Sequence, residues 1–193
     1  MTRLFTLLFI ALSALSLQGC FPLAATGLAT GALMIDDRRT SGIYIEDENI
    51  EWKANARIRD KFKDAHINTV SYNLNVLITG QVSSEEIKKQ VEETVRGVPS
   101  VKNVTNEITV SGNSSLASRG SDALVTSNVK ARLIGNGKVS PNHVKVFTET
   151  GVVYLLGIVT QIEGDAAADI ARNTSGVSRV VKVFEYIPSA PQK

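Results

Sequence analysis

Two spacings alternate along this chain. Apolar residues four apart (Ile50, Ala54, Ile58, Phe62, then Val125, Val129, Leu133) predict helices over about 50–62 and 122–134. After each comes a pair of β-branched runs with a short polar turn between them. The turns, Asn73-Leu74-Asn75 and Thr150-Gly151, hold residues that accept positive φ, so each pair predicts a hairpin. A second helix then opens at a polar cap, Ser83 or Thr160, with Glu86 three residues after Ser83 in capping-box spacing. It closes near Gly97 or Gly176, and a β-branched strand follows over 104–110 or 180–187.

The two halves are an internal repeat. His66-Ile67-Asn68-Thr69-Val70-Ser71 aligns with His143-Val144-Lys145-Val146-Phe147-Thr148, and Val76-Leu77-Ile78-Thr79-Gly80-Gln81-Val82 aligns with Val153-Tyr154-Leu155-Leu156-Gly157-Ile158-Val159. Gly97-Val98-Pro99-Ser100-Val101 pairs with Gly176-Val177-Ser178-Arg179-Val180. The predicted fold is α+β: two tandem αββαβ units. The hairpin is antiparallel and the βαβ half needs a right-handed parallel crossover. Each unit is therefore a three-stranded mixed sheet with two helices packed on it. The expected boundaries are a first domain over 49–110, a Gly/Ser linker over 111–120, a second domain over 121–187 and a disordered tail over 188–193.

Upstream, Arg3 precedes an uncharged apolar run over 4–17, the length of a secretory leader core rather than a spanning helix. Leu17-Gln18-Gly19-Cys20 closes it, and Cys20 is the single cysteine of the chain. These residues resemble the lipobox of bacterial lipoproteins. The resemblance implies a leader over 1–19, cleavage before Cys20, and diacylglyceryl and N-acyl groups on Cys20; no other cofactor is expected. An uncleaved anchor over 4–35, interrupted at Gln18-Gly19, is the competing reading. Phe21 rather than Asp follows the cysteine, which in that family implies the outer membrane, facing the periplasm. One acyl chain binds a bilayer only marginally, whereas two or three hold firmly. Residues 20–48 read as a lipid-anchored tether, its charged stretch 36–48 a linker. Gly27 and Gly31 have GxxxG spacing, read as tether rather than helix contact.

The tandem units, with V-x-L-x-G-x-V in the second strand and G-V-x-x-V leading to the third, resemble BON domains. A lipobox before two such units resembles the dual-BON outer-membrane lipoproteins. That resemblance implies recognition of anionic phospholipid by the first helix of the second unit, through an exposed aromatic near its start. Alignment on Asp122 puts Leu124 at that position, a departure from the pattern, since leucine anchors less well at an interface than tryptophan.

The residues themselves leave two readings open, a headgroup-binding surface and a single exposed leucine that needs no function. At about 100° per residue, Leu124 faces away from the Val125–Val129–Leu133 stripe, with Asn128, Ala131 and Gly135 beside it and Arg132 on the flank. These five are the candidate headgroup-binding residues. Trp52 also faces outward in the first unit, near Ala56, Arg59 and Lys63; it reads as a domain-interface residue or, with Arg59, as a contact for a partner.

Composition excludes other classes. The chain has 193 residues with a net charge of +2, and loss of residues 1–19 removes one arginine and no acid, so nucleic acid is not an expected partner. His66 and His143 sit at equivalent strand starts without further metal ligands and read as structural. No nucleophile elbow, P-loop or dinucleotide motif occurs. The expected function is non-enzymatic: a lipid-anchored protein that binds outer-membrane anionic phospholipid and supports membrane integrity. The alternative is a tethered adaptor for envelope proteins.

Overall fold

The computed structural model describes residues 37–112 and 114–188. The expectations for the leader, Cys20, the glycine pair at 27 and 31, and the last five residues lie outside the described residues.

Helix α1 spans Ser41–Lys61, where Thr40 caps it by accepting from the Ile43 N–H. It therefore begins well before residue 50, and part of the stretch read as linker is its first two turns. A buried acid explains this. The Asp47 carboxylate accepts from Ser71 Oγ (2.6 Å) and from the backbone N–H groups of Asn73 (2.9 Å) and Leu74 (2.8 Å), and pairs with Arg39 at 3.0 Å. It holds the hairpin turn, where Asn73 and Leu74 take φ of 53° and 66°. Asp122 does the same in the second unit, accepting from the Thr150 and Gly151 N–H groups at 2.8 Å.

Strand β1 (His66–Tyr72) pairs antiparallel with β2 (Asn75–Val82), and β2 pairs in parallel with β3 (Asn103–Asn106) and β4 (Thr109–Val110). The single third strand expected over 104–110 is thus interrupted, because Asn106 Oδ1 accepts from the Ile108 N–H and turns Ile108 into the core. Helix α2 (Glu85–Arg96) connects β2 to β3. Its cap is Ser84, not Ser83, and the reciprocal capping box lies in the second unit, between Thr160 and Glu163.

The second unit repeats the order. It has α3 (Leu116–Asn136), β5 (Val144–Glu149), β6 (Val152–Val159), α4 (Gln161–Arg172) and β7 (Arg179–Tyr186). Helix α3 takes in the second half of the expected linker, capped by Ser115. Asn173, not Gly176, caps the end of α4. Gly80 and Gly157 sit where β2 and β6 cross the preceding strands; a Cβ there would lie 2.0 Å from the His66 carbonyl oxygen and 2.3 Å from that of His143.

In each unit the helices cover one face of the sheet. Ile50, Ala54 and Ile58 pack on Val76, Ile78 and Val82; Val125, Val129 and Leu133 pack on Val153, Leu155 and Val159. The opposite faces of the two sheets bury each other, joining Val70, Tyr72 and Leu77 to Tyr154, Leu156 and Ile158. The layers run helix, sheet, sheet, helix. Trp52 has no part in this contact: it is 69% exposed on the outer side of α1. The domain-interface reading of Trp52 is therefore corrected, because apolar residues of both parities in β2 and β6 already supply an inter-domain core.

Candidate functional site

Polar groups fasten the two units together around that core. Glu149 on β5 accepts from Asn68 Nδ2 (3.0 Å) and Gln81 Nε2 (2.9 Å), with His66 Nε2 at 3.6 Å. Lys145 donates to Glu51 at 2.6 Å. Arg38 donates to both Glu163 oxygens (2.7 and 2.9 Å) and to the Ile158 carbonyl (2.8 Å), while Arg39 stacks over the Tyr72 ring at 4.0 Å. Burial opposes ionisation of Glu163, but the Arg38 hydrogen bonds, the Thr160 hydrogen bonds and the Arg38 charge outweigh it and hold the carboxyl at about 2. Burial and the Asp37 charge push the Tyr72 hydroxyl to about 12. Glu163 and Tyr72 therefore keep their ordinary charge states across neutrality and act as fixed partners in the contact. Both histidines belong to this framework, His143 lying 3.5 Å from Glu163. Among the described residues, no group of three or more His, Cys, Asp or Glu is placed to hold a metal.

The outer faces of the helices remain. On α3, Leu124 is 68% exposed, and Asn128, Ala131, Arg132 and Gly135 are exposed with it, so all five candidate residues reach solvent. Arg132 differs. Its Nη1 donates to the Asn173 carbonyl and to Thr174 Oγ1 (3.3 Å), at the C-terminal end of α4. A helix C-terminus carries partial negative charge and unpaired carbonyls, which draw a guanidinium in. Arg57 does the equivalent in the first unit, donating to the Gly97 carbonyl at 2.7 Å. Arg132 is therefore engaged within the fold.

Ile134, 65% exposed, was missed by the sequence reading. It lies about 80° from Leu124 around the helix, a large apolar side chain off the buried stripe, and that was the available signal. Lys130 and Lys138 are exposed on the same segment. The stretch from Ala123 to Thr148 contains Lys130, Arg132, Lys138 and Lys145 and no acidic residue. Next to it, an open groove of about 480 Å³ lies between the end of α3 and α4, lined by Arg132, Gly135, Lys138, Ala166, Asp169 and Ile170. On α1, Arg59 is exposed beside Trp52 and lines a separate hollow of about 520 Å³ with Phe62 and Lys63.

The model of the BON domain matches residues 46–112 and again 121–188. The chain belongs to the BON family. It is 42% identical over 177 residues to the outer membrane lipoprotein DolP of Haemophilus influenzae, spanning 89% of this chain and 90% of that one. A 21 kDa hemolysin of Actinobacillus pleuropneumoniae is 32% identical, with 78% and 79% covered. The osmotically-inducible protein Y of Escherichia coli is 31% identical, with 72% of each covered. With two BON domains and this extent of identity, the chain is a DolP-like outer-membrane lipoprotein. Among the described residues no helix is long and apolar enough to cross a membrane.

Proposed function

We propose that this BON protein is held at the outer membrane by acyl groups on Cys20, faces the periplasm, and lays the outer surface of α3 on anionic phospholipid headgroups. It supports membrane integrity as a binding protein, without catalysis. The observation that carries this reading is that Leu124 and Ile134 on α3 are both about two-thirds exposed, with Lys130 on the same helix and Lys138 just past its end, in a stretch of sequence free of acidic residues. The apolar side chains suit the boundary between headgroups and acyl chains, and each lysine near an anionic surface adds about 1 kcal/mol. Leucine replaces the aromatic implied by the family resemblance, so electrostatics carries a larger share of the binding. Arg132 supports the surface indirectly, by tying α3 to α4.

The test is flotation of residues 36–193, whose described residues belong to one compact unit, with vesicles. The fragment should rise with vesicles containing phosphatidylglycerol or cardiolipin and stay down with phosphatidylcholine alone. Equal behaviour with both would defeat the headgroup reading and favour a protein-binding adaptor.

A further inference from the structure

Leu133 and Val139 are buried, at 1% and 2% exposure, while the run between them, Ile134 to Lys138, is exposed throughout. The end of α3 is thus an open turn held at its two ends. Gly137 caps the helix in the left-handed region, at φ 69°, and a Cβ added at Gly135 or Gly137 would meet nothing within 4 Å. Asn136 lies between these glycines, and Asn136-Gly137 is the one asparagine–glycine step in the chain. Three other asparagines show the contrast, because their amides are held. Asn106 donates to the Lys88 carbonyl (3.2 Å) and to Glu92 (3.0 Å), Asn68 to Glu149 (3.0 Å), and Asn173 to the Asp169 carbonyl (2.8 Å). The Asn136 amide has no hydrogen-bond partner among the described residues.

We propose that Asn136 is a site of spontaneous deamidation, and that its product weakens the hold of α3 on anionic lipid. The backbone nitrogen of Gly137 attacks Asn136 Cγ and closes a five-membered succinimide. The Cγ–Nδ2 bond breaks, and Nδ2 leaves as ammonia with the proton that the Gly137 nitrogen gives up. Water then opens the ring at either carbonyl, leaving aspartate in normal linkage or with the main chain routed through Cβ. One water is consumed and one ammonia released, with no oxidant or reductant. Glycine at 137 puts no Cβ in the path of the attack. A helical backbone keeps the reacting atoms apart, so ring closure runs through fraying of the last turn, where no packing beyond Leu133 opposes it. The new carboxylate joins Arg132 and Lys138 on the rim of the groove at the end of α3, in a stretch that otherwise has no acid. It offsets their charge and also meets the negative end of the helix dipole. The modification stands on its own; its effect on lipid binding rests on the headgroup reading.

The experiment ages the full chain in warm, mildly alkaline buffer and follows the tryptic peptide Leu133–Lys138 by mass spectrometry. Asn136 is its one amide side chain, so conversion appears as the mass gain of amide to acid, split between two chromatographic forms. Asn136 should convert well before Asn68, Asn106 or Asn173, and Asn136→Gln, which would need a six-membered ring, should resist. An Asn136 that keeps its amide as long as those three would overturn the proposal. The consequence is read by partitioning residues 36–193 onto phosphatidylglycerol vesicles. Asn136→Asp should bind about fivefold more weakly than wild type, and the aged chain should weaken in step with its converted fraction. Equal binding by Asn136→Asp, with the wild type bound, would overturn the regulatory half. A wild type that ignores these vesicles would instead refute the headgroup reading, and the peptide result would still decide the modification.

Discussion

Replacing Leu124 by aspartate perturbs the α3 surface where the fold has least to lose. Leu124 is 68% exposed, and surface substitutions of this kind usually change stability by no more than about 0.5 kcal/mol. Complete burial of a leucine side chain is worth about 1.5–3 kcal/mol, so transferring the exposed two-thirds to the membrane boundary contributes roughly 1–2 kcal/mol. The new carboxylate faces an anionic surface and costs about 1 kcal/mol more. Together these predict roughly 30- to 150-fold weaker partitioning onto anionic vesicles, at 1.4 kcal/mol per factor of ten. Changing Lys130 and Lys138 together to glutamine removes about 2 kcal/mol, and that loss shrinks as salt rises, unlike the Leu124 effect. The assay is centrifugal partitioning of residues 36–193 against lipid concentration, with a melting curve as the folding control. Partitioning within twofold of wild type for the aspartate variant, with an unchanged melting temperature, would refute the reasoning and move the contact off α3.

Three further outcomes test the framework. Asp122→Ala leaves the Thr150 and Gly151 N–H groups of the tight turn without their acceptor and should destabilise by about 3 kcal/mol, read as a lowered denaturation midpoint; an unchanged midpoint would mean water replaces the carboxylate at no cost. Gly80→Ala forces a Cβ to within 2.0 Å of the His66 carbonyl oxygen at a φ of 122°, so soluble expression of the folded protein should be lost, while Gly135→Ala, with open space around it, should be tolerated. Glu163 sits at about 2 instead of its ordinary 4.5, so its stabilising contribution is complete above about 4.5 and is lost as pH falls towards 2. Arg38→Gln should raise the Glu163 carboxyl towards its ordinary value, seen by carbon NMR titration, and remove most of that acid dependence.

Much of this arrangement was legible because it repeats. The stripe at Val125, Val129 and Leu133, the paired strands and the two glycines at strand crossings follow from spacing alone, and the same pattern twice resolved ambiguities that either copy leaves open. What spacing hid was chemistry that depends on contacts distant in sequence. Asp47 sits among Glu46 and Glu48 and reads as solvated; only the Asn73-Leu74 turn folding back on it makes it a buried acceptor and carries the helix to Ser41. Arg132 reads as a surface cation until the end of α4 is placed beside it. The sheet-on-sheet contact did have a signal in the run Val152–Val159, where both parities are apolar except at Gly157, as in a strand buried on both faces. Trp52 is the more conspicuous residue, but a strand apolar on both faces is the stronger sign of an interface.

The account turns on α3 touching lipid, and the chain contains one tryptophan, Trp52, located on a different helix. Trp52→Phe silences it, and Leu124→Trp places a reporter at the proposed contact. On addition of phosphatidylglycerol vesicles, emission from position 124 should shift to the blue and be quenched by bromine atoms near the headgroup end of the acyl chains. An emission maximum that stays at its aqueous position, unquenched by those lipids while the protein is bound, would contradict the account.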